Sequence, residues 1–191
     1  RWPMRWILAP TARLPVAGFN LSVGQLESRR VVGHLCALAS RDSSSPLRIE
    51  ADFPLHALDR PLAMDGLERL HGAGIGLCVD GMGDNPAAAL KQIIALRRER
   101  GFDVDTVKID LRGFPALGQS AGDWAQLFDI AVRLRGAGIA VAAKSVETAS
   151  QIEQLKALGI TQVQGNFLCA PVTGTTLIRM AQSKWAATGT G

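Results

Sequence analysis

One short pattern, written twice, constrains this chain more than any other feature. Leu70-His71-Gly72-Ala73-Gly74-Ile75 and Leu134-Arg135-Gly136-Ala137-Gly138-Ile139 share it, and Leu158-Gly159-Ile160 is a shorter version. In each, glycine supplies the left-handed conformation that closes a helix, and isoleucine opens a buried strand. Repeated helix-to-strand junctions imply βα units around a parallel sheet, either a (β/α) barrel or a doubly wound sheet. Periodicity leaves those two open.

The rest of the chain alternates in the same way. Strands are expected at Leu14–Leu21, Leu47–Ala51, Ile75–Asp80, Thr106–Asp110, Ile139–Ala143 and Gln162–Gly165. Ser22-Val23-Gly24-Gln25 is an S-x-x-Q capping box, predicting one helix to about Ala39. Pro61 and Asn85-Pro86 mark two further helix starts, ended by Gly72 to Gly74 and by Gly101. Helices are also expected at Asp123–Arg135, at Ser150–Leu158 and from near Thr175, with a serine-rich loop at Arg41–Pro46.

With 191 residues, 47% of them apolar, the chain can bury a core as one domain. We divide it into an N-terminal segment at residues 1–13, a docking or replacement strand, and a barrel at residues 14–191. No apolar run reaches the roughly 20 residues of a membrane helix, and Pro3 and Arg5 interrupt the N-terminal run, so a cytoplasmic protein is expected. Cys36, Cys78 and Cys169 lack metal or redox spacing and read as buried reduced thiols. The net charge of +4 comes from scattered cations. Arg97, Arg98 and Arg100 offset a helix C-terminus rather than form a nucleic-acid patch. His34, His56 and His71 are placed on or near helices, at the end away from the strand C-termini.

Polar residues collect at the C-terminal ends of the predicted strands: Asn20, Asp80, Lys108, Asp110, Lys144, Glu147 and Gln164. In a parallel barrel those ends converge on the mouth where active sites are built. Lys144 is a cation where such a site could use a carboxylate. It could neutralise Asp80 across the mouth or bind a ligand. Lys108 could serve a ligand or join an ion-pair network with Asp80, Asp110 or Glu147.

These motifs, in order, resemble the EAL domain family of bacterial cyclic di-GMP phosphodiesterases, a modified TIM barrel. Phe19-Asn20-Leu21-Ser22 with Gln25-Leu26 is similar to V-N-L-S-x-x-Q-L, Leu77-Cys78-Val79-Asp80-Gly81-Met82-Gly83 to A-L-D-D-F-G, and Val107-Lys108-Ile109-Asp110 to L-K-I-D. Ala143-Lys144-Ser145-Val146-Glu147-Thr148 is similar to A-E-G-V-E-T, and Val163-Gln164-Gly165 to Q-G-Y. The resemblance implies a barrel of about six βα units, incomplete at its N-terminus. The stretch before Asn20 is too short for the family's first two strands, and the E-A-L glutamate goes with them.

Set against the family pattern, Leu47-Arg48-Ile49-Glu50-Ala51 aligns with L-E-I-T-E so that Arg48 takes an acidic ligand position. Gly81 replaces the second aspartate, and Lys144 replaces the general-base glutamate. Two-metal hydrolysis needs several hard oxygen ligands and a base. Asn20, Asp80 and Asp110 are the remnant metal positions, expected to be empty. No catalytic residue is expected, Lys108 and Glu147 being remnants. Lys108, Gln164, Arg48 and Lys144 are the candidate ligand-binding residues.

The resemblance and its departures together imply a regulatory or protein-interaction module without phosphodiesterase activity. The alternatives are a non-hydrolysing cyclic di-GMP receptor and a residual phosphodiesterase. No cofactor is expected, with Mg or Mn only under the last of these. A protein partner, a flanking domain or a second copy of the chain is expected against the incomplete barrel, and residues such as Trp2 and Trp6 suit docking.

Overall fold

The structure, a computed structural model, describes residues 4–7, 16–41, 48–82, 85–114, 121–160, 162–170, 172–173, 175–176 and 179. Its elements, in chain order, are β1 (Met4–Ile7), β2 (Val16–Asn20), α1 (Val23–Leu26), α2 (Arg29–Arg41), β3 (Arg48–Phe53), α3 (Pro61–Gly72) and β4 (Gly76–Asp80). They continue with α4 (Pro86–Arg100), β5 (Thr106–Asp110), α5 (Ala121–Gly136), β6 (Ala140–Lys144), α6 (Ala149–Ala157) and β7 (Gln162–Val163). The serine-rich loop at 42–46, most of the helix expected from Thr175, and the side chains of Trp2 and Trp6 lie outside the described residues.

One sheet holds every strand in sequence order, β1 to β7. β1 runs antiparallel to β2, and β2 to β7 are all parallel. A doubly wound sheet reverses its strand order at a switch point. This sheet never reverses, so the choice left open by periodicity falls to the barrel. The six parallel strands curl into a half-barrel with helices between them, short of the eight strands of a closed one.

The junction glycines behave as their pattern requires. Gly74, Gly138 and Gly159 have φ of 79°, 80° and 71°, and the isoleucine after each of the first two donates its N–H back to the preceding helix's leucine carbonyl. The Ser22–Gln25 capping box forms, but the helix it opens is short. Glu27 and Ser28 break the expected single helix, and Ser28 Oγ accepts from Val31 N at 3.4 Å to start α2. Thr148 and Gln151 form a second capping box at the start of α6.

Strand residues alternate between two environments. Ala51, Phe53, Leu77, Val79, Val107, Ile109, Val141 and Ala143 face outward, buried beneath the helices. Of the intervening positions, which line the concave side, Glu50, Asp52, Thr106 and Lys108 are polar and buried. The apolar core therefore lies between sheet and helices, and the chemistry lies inside the curve.

Candidate functional site

The inward-facing residues form two tiers. The deeper tier joins β3, β4 and β5. Lys108 Nζ lies 2.5 Å from Asp52 Oδ2 and 4.0 Å from Glu50 Oε1, with all three side chains at most 4% exposed. Thr106 Oγ1 donates to Glu50 Oε2 at 3.0 Å. Burial pushes the Glu50 carboxyl up, against the pull of Lys108. Burial also opposes the Lys108 ammonium, but the Asp52 and Glu50 carboxylates outweigh it and hold the lysine above its ordinary value. The Cys78 thiol, raised by burial, stays protonated at neutral pH.

The upper tier sits at the strand C-termini. Lys144 Nζ donates to Asp80 Oδ1 at 2.8 Å and lies 3.7 Å from Asp110 Oδ2. Asp110 is held from the other side by Arg112, whose Nη2 is 2.5 Å from Oδ2 and whose Nε is 3.0 Å from Oδ1. That fork holds the Asp110 carboxyl well below the usual carboxylate range, with the Arg112 backbone N–H, Ser145 and Lys144 assisting. Ser145 follows Lys144 with φ of 65°, where the family motif A-E-G-V-E-T carries glycine. Gln164 places Oε1 in a buried position without a hydrogen-bond partner, and Glu147 is exposed. Gly165 has no room for a side chain, since a Cβ there would meet Val146 O at 2.0 Å.

The structure brings together Asp80, Asp110 and Lys144, sets Lys108 with Glu50 and Asp52 in the deeper tier, and places Asn20 opposite Asp52 in the strand register. It does not bring Arg48. That residue begins β3 at the far end of the sheet, where its guanidinium pairs with Asp105. The expectation that Arg48 takes an acidic ligand position is corrected. Arg48, Glu50 and Asp52 are spaced by two, so all three share one face, and the acidic groups nearer the mouth are Glu50 and Asp52. Lys108 likewise pairs with Asp52, not with Asp80, Asp110 or Glu147.

Two smaller expectations change. His56 follows β3 in a 3-10 turn, on the side of the strand C-termini. Of the thiols, Cys78 is buried, Cys36 half-buried and Cys169 exposed. Sequence reasoning missed Asp52, Thr106, Asp105 and Arg112. The period-two run Arg48-Ile49-Glu50-Ala51-Asp52 was the available signal for the first of these.

A divalent ion would need free oxygen donors. Glu50 Oε1 and Asp52 Oδ1 are buried without a hydrogen-bond partner, and ligand atoms of Glu50, Asp52 and Cys78 lie within 4.8 Å of one another. Against these stand two resident ammonium groups, Lys108 on Asp52 and Lys144 on Asp80. Gly81, with φ of 102°, offers no side-chain donor. At the mouth, Lys144 and Gly81 stand where the family motifs carry acidic residues, and Asp80 and Asp110 are the carboxylates that remain there.

Among solved structures, the chain is similar to the EAL enzyme Bd1971 in its cAMP- and cyclic-di-GMP-bound form, at 20% identity and a TM-score of 0.69 over 85% of this chain and 42% of that one. The phosphodiesterase PaMucR in complex with cyclic di-GMP is 24% identical, with a TM-score of 0.68 over 84% and 63% of the two chains. Klebsiella pneumoniae BlrP1, in a manganese and cyclic di-GMP complex, is 24% identical, with a TM-score of 0.60 over 78% and 37%. The chain thus spans less than two thirds of the length of each of these. No curated protein matches. No helix among the described residues is long and apolar enough to cross a membrane. The EAL domain model matches residues 3–171, and with the strand-end motifs converging on one mouth, the chain belongs to the EAL domain family.

Proposed function

We propose that this EAL domain serves cyclic di-GMP signalling as a cytoplasmic regulatory module that does not hydrolyse the dinucleotide and acts by binding another protein. The observation that carries the reading is Lys144 Nζ on Asp80 Oδ1 at 2.8 Å. It puts a cation in the place of the family's general base and occupies a carboxylate the family would use for metal. A charged ammonium cannot accept a proton from water. Unit charges about 4 Å apart interact by about 4 kcal/mol at an effective dielectric near 20, so a metal beside Lys144 meets a barrier of that order or larger. Residues 1–13 are assigned to covering or docking at the β2 edge, with a flanking domain or a second copy of the chain as the alternative cover.

A second reading is favoured by Gln164, whose buried Oε1 lacks a hydrogen-bond partner: a receptor that binds cyclic di-GMP without cutting it. Isothermal titration with cyclic di-GMP, with and without Mg²⁺, separates the two. Silence at millimolar ligand selects the interaction module, and metal-independent submicromolar binding selects the receptor. Chelator-sensitive turnover by the unmodified chain refutes both.

A further inference from the structure

We infer that Ser145 is a positioning residue: as the left-handed member of a bulge in β6, it aims Lys144 across β5 at Asp80. The inference deepens the reading of Lys144 as the cation in the general-base place, and rests on it. β6 and β7 pair regularly as far as Ala142 opposite Gln162 and Ala143 opposite Val163. Beyond that, Gln164 N donates to Ala143 O at 2.8 Å, and Val146 N donates to Gln164 O at 3.0 Å. A regular parallel pair leaves one residue between two such bonds. Here two residues, Lys144 and Ser145, stand opposite Gln164, which is the count of a β-bulge.

A bulge bends its strand and re-aims a side chain, and this one serves both sides of the sheet. Lys144, ahead of the extra residue, keeps the inward direction and reaches Asp80 Oδ1 at 2.8 Å. Val146, beyond it, is buried in the apolar core. Without the extra residue, the period of two would turn Val146 to the lumen side with Lys144. Ser145 absorbs the change with φ of 65°, a left-handed value that suits glycine or asparagine. Its hydroxyl bonds the Asp110 carboxylate, which also lies 3.7 Å from Lys144 Nζ. The side chain thus ties the bulge to β5 at the carboxylate beside the lysine, a link that glycine cannot make.

The test is a double-mutant cycle on the full chain, Lys144→Met against Asp80→Asn, read as unfolding constants from urea denaturation. In the unmodified background the coupling between the two residues is expected to be about tenfold. Ser145→Gly keeps the left-handed backbone accessible but removes the hydroxyl, and the coupling should fall below about threefold. Ser145→Asn tolerates the same φ and carries a side chain that can bond Asp110, so it should restore the coupling to within about twofold of the unmodified value. A residue that merely serves the strand would change the stability of every member of the cycle alike and leave the coupling in place. The inference is overturned if Ser145→Gly keeps the full coupling, if Ser145→Asn restores none of it, or if the unmodified chain shows none. Circular dichroism confirms that each variant is folded. Hydrolysis of cyclic di-GMP by the unmodified chain would sink the proposed function, and the cycle alone decides the role of Ser145.

Discussion

Replacing Lys108 by methionine tests the buried tier directly. The substitution keeps an unbranched side chain of similar length and removes only the charge, leaving Asp52 and Glu50 facing each other at 1% and 3% exposure. Removing one member of a buried ion pair costs about 3–5 kcal/mol, because the remaining charge has no compensation. For a chain of this size about 2–4 °C accompanies each kcal/mol, so Tm should fall by about 6–20 °C at pH 7. The pH dependence fixes the cause. Burial already raises the Glu50 carboxyl while Lys108 opposes it. Without Lys108 the Glu50 carboxyl rises further above its unfolded value near 4, so its favourable contribution is present at low pH and lost as pH rises through the raised folded pKa. Differential scanning calorimetry from pH 5 to 8 should therefore show the gap to the unmodified chain widening with pH. The double variant Lys108→Met with Asp52→Leu, which removes both charges, should recover part of the loss. A Tm change below about 3 °C at pH 7, or a gap independent of pH, would refute the reasoning.

Three further outcomes follow from single contacts. Gly165→Ala puts a Cβ 2.0 Å from Val146 O and 2.4 Å from Val146 N, both backbone atoms that cannot rotate away. It should cost about 1–3 kcal/mol or more in urea denaturation, and no measurable loss would show that the β7 turn moves freely against the loop after β6. Asp110→Asn removes a carboxylate whose folded pKa is depressed chiefly by Arg112, so its contribution is present above the unfolded value near 4 and lost as pH falls. The stability difference between Asp110→Asn and the unmodified chain should shrink below that pH. Asp105→Ala strips both Arg48 and the Leu77 N–H, held at 2.8 Å, of their acceptor; an expected loss of about 1–2 kcal/mol by chemical denaturation checks that Arg48 is structural.

The fold was legible because its signals are local. A glycine that must take φ near 80° and an isoleucine that starts the next strand mark the helix-to-strand junction in the sequence itself. β5 matches the expected Thr106–Asp110, since four of its five side chains are buried, and a one-residue slip would exchange Val107 and Ile109 with Thr106 and Lys108 between the two faces. The break between α1 and α2 was hidden for the opposite reason. Glu27 and Ser28 are ordinary helix residues, and only packing decides that the chain turns there. Closure could not be read either: strand order is a tertiary fact, and the βα rhythm of a barrel and of a doubly wound sheet is the same.

The site was legible in part, and the error has a physical lesson. Lys144 reaches Asp80 because β6 and β4 flank β5, so their inward positions meet across one strand of a curved sheet. Matching motifs to strand ends anticipates that. What it does not fix is depth along a strand. Arg48, Glu50 and Asp52 face the same way, yet one pairs with Asp105 at the far end and the others meet Lys108 inside the curve. Successive inward positions are about 6.6 Å apart along a strand, enough to separate a site residue from a rim residue of identical orientation. A two-residue offset therefore preserves every expectation about burial and face while exchanging an arginine for a glutamate at the centre of the site. With Glu50 and Asp52 restored to the lumen, the loss of acidic ligands is smaller than the sequence alone implied. Lys108 stands where the family's phosphodiesterases also carry lysine, so of the two cations only Lys144, paired with Asp80 at the mouth, speaks against hydrolysis.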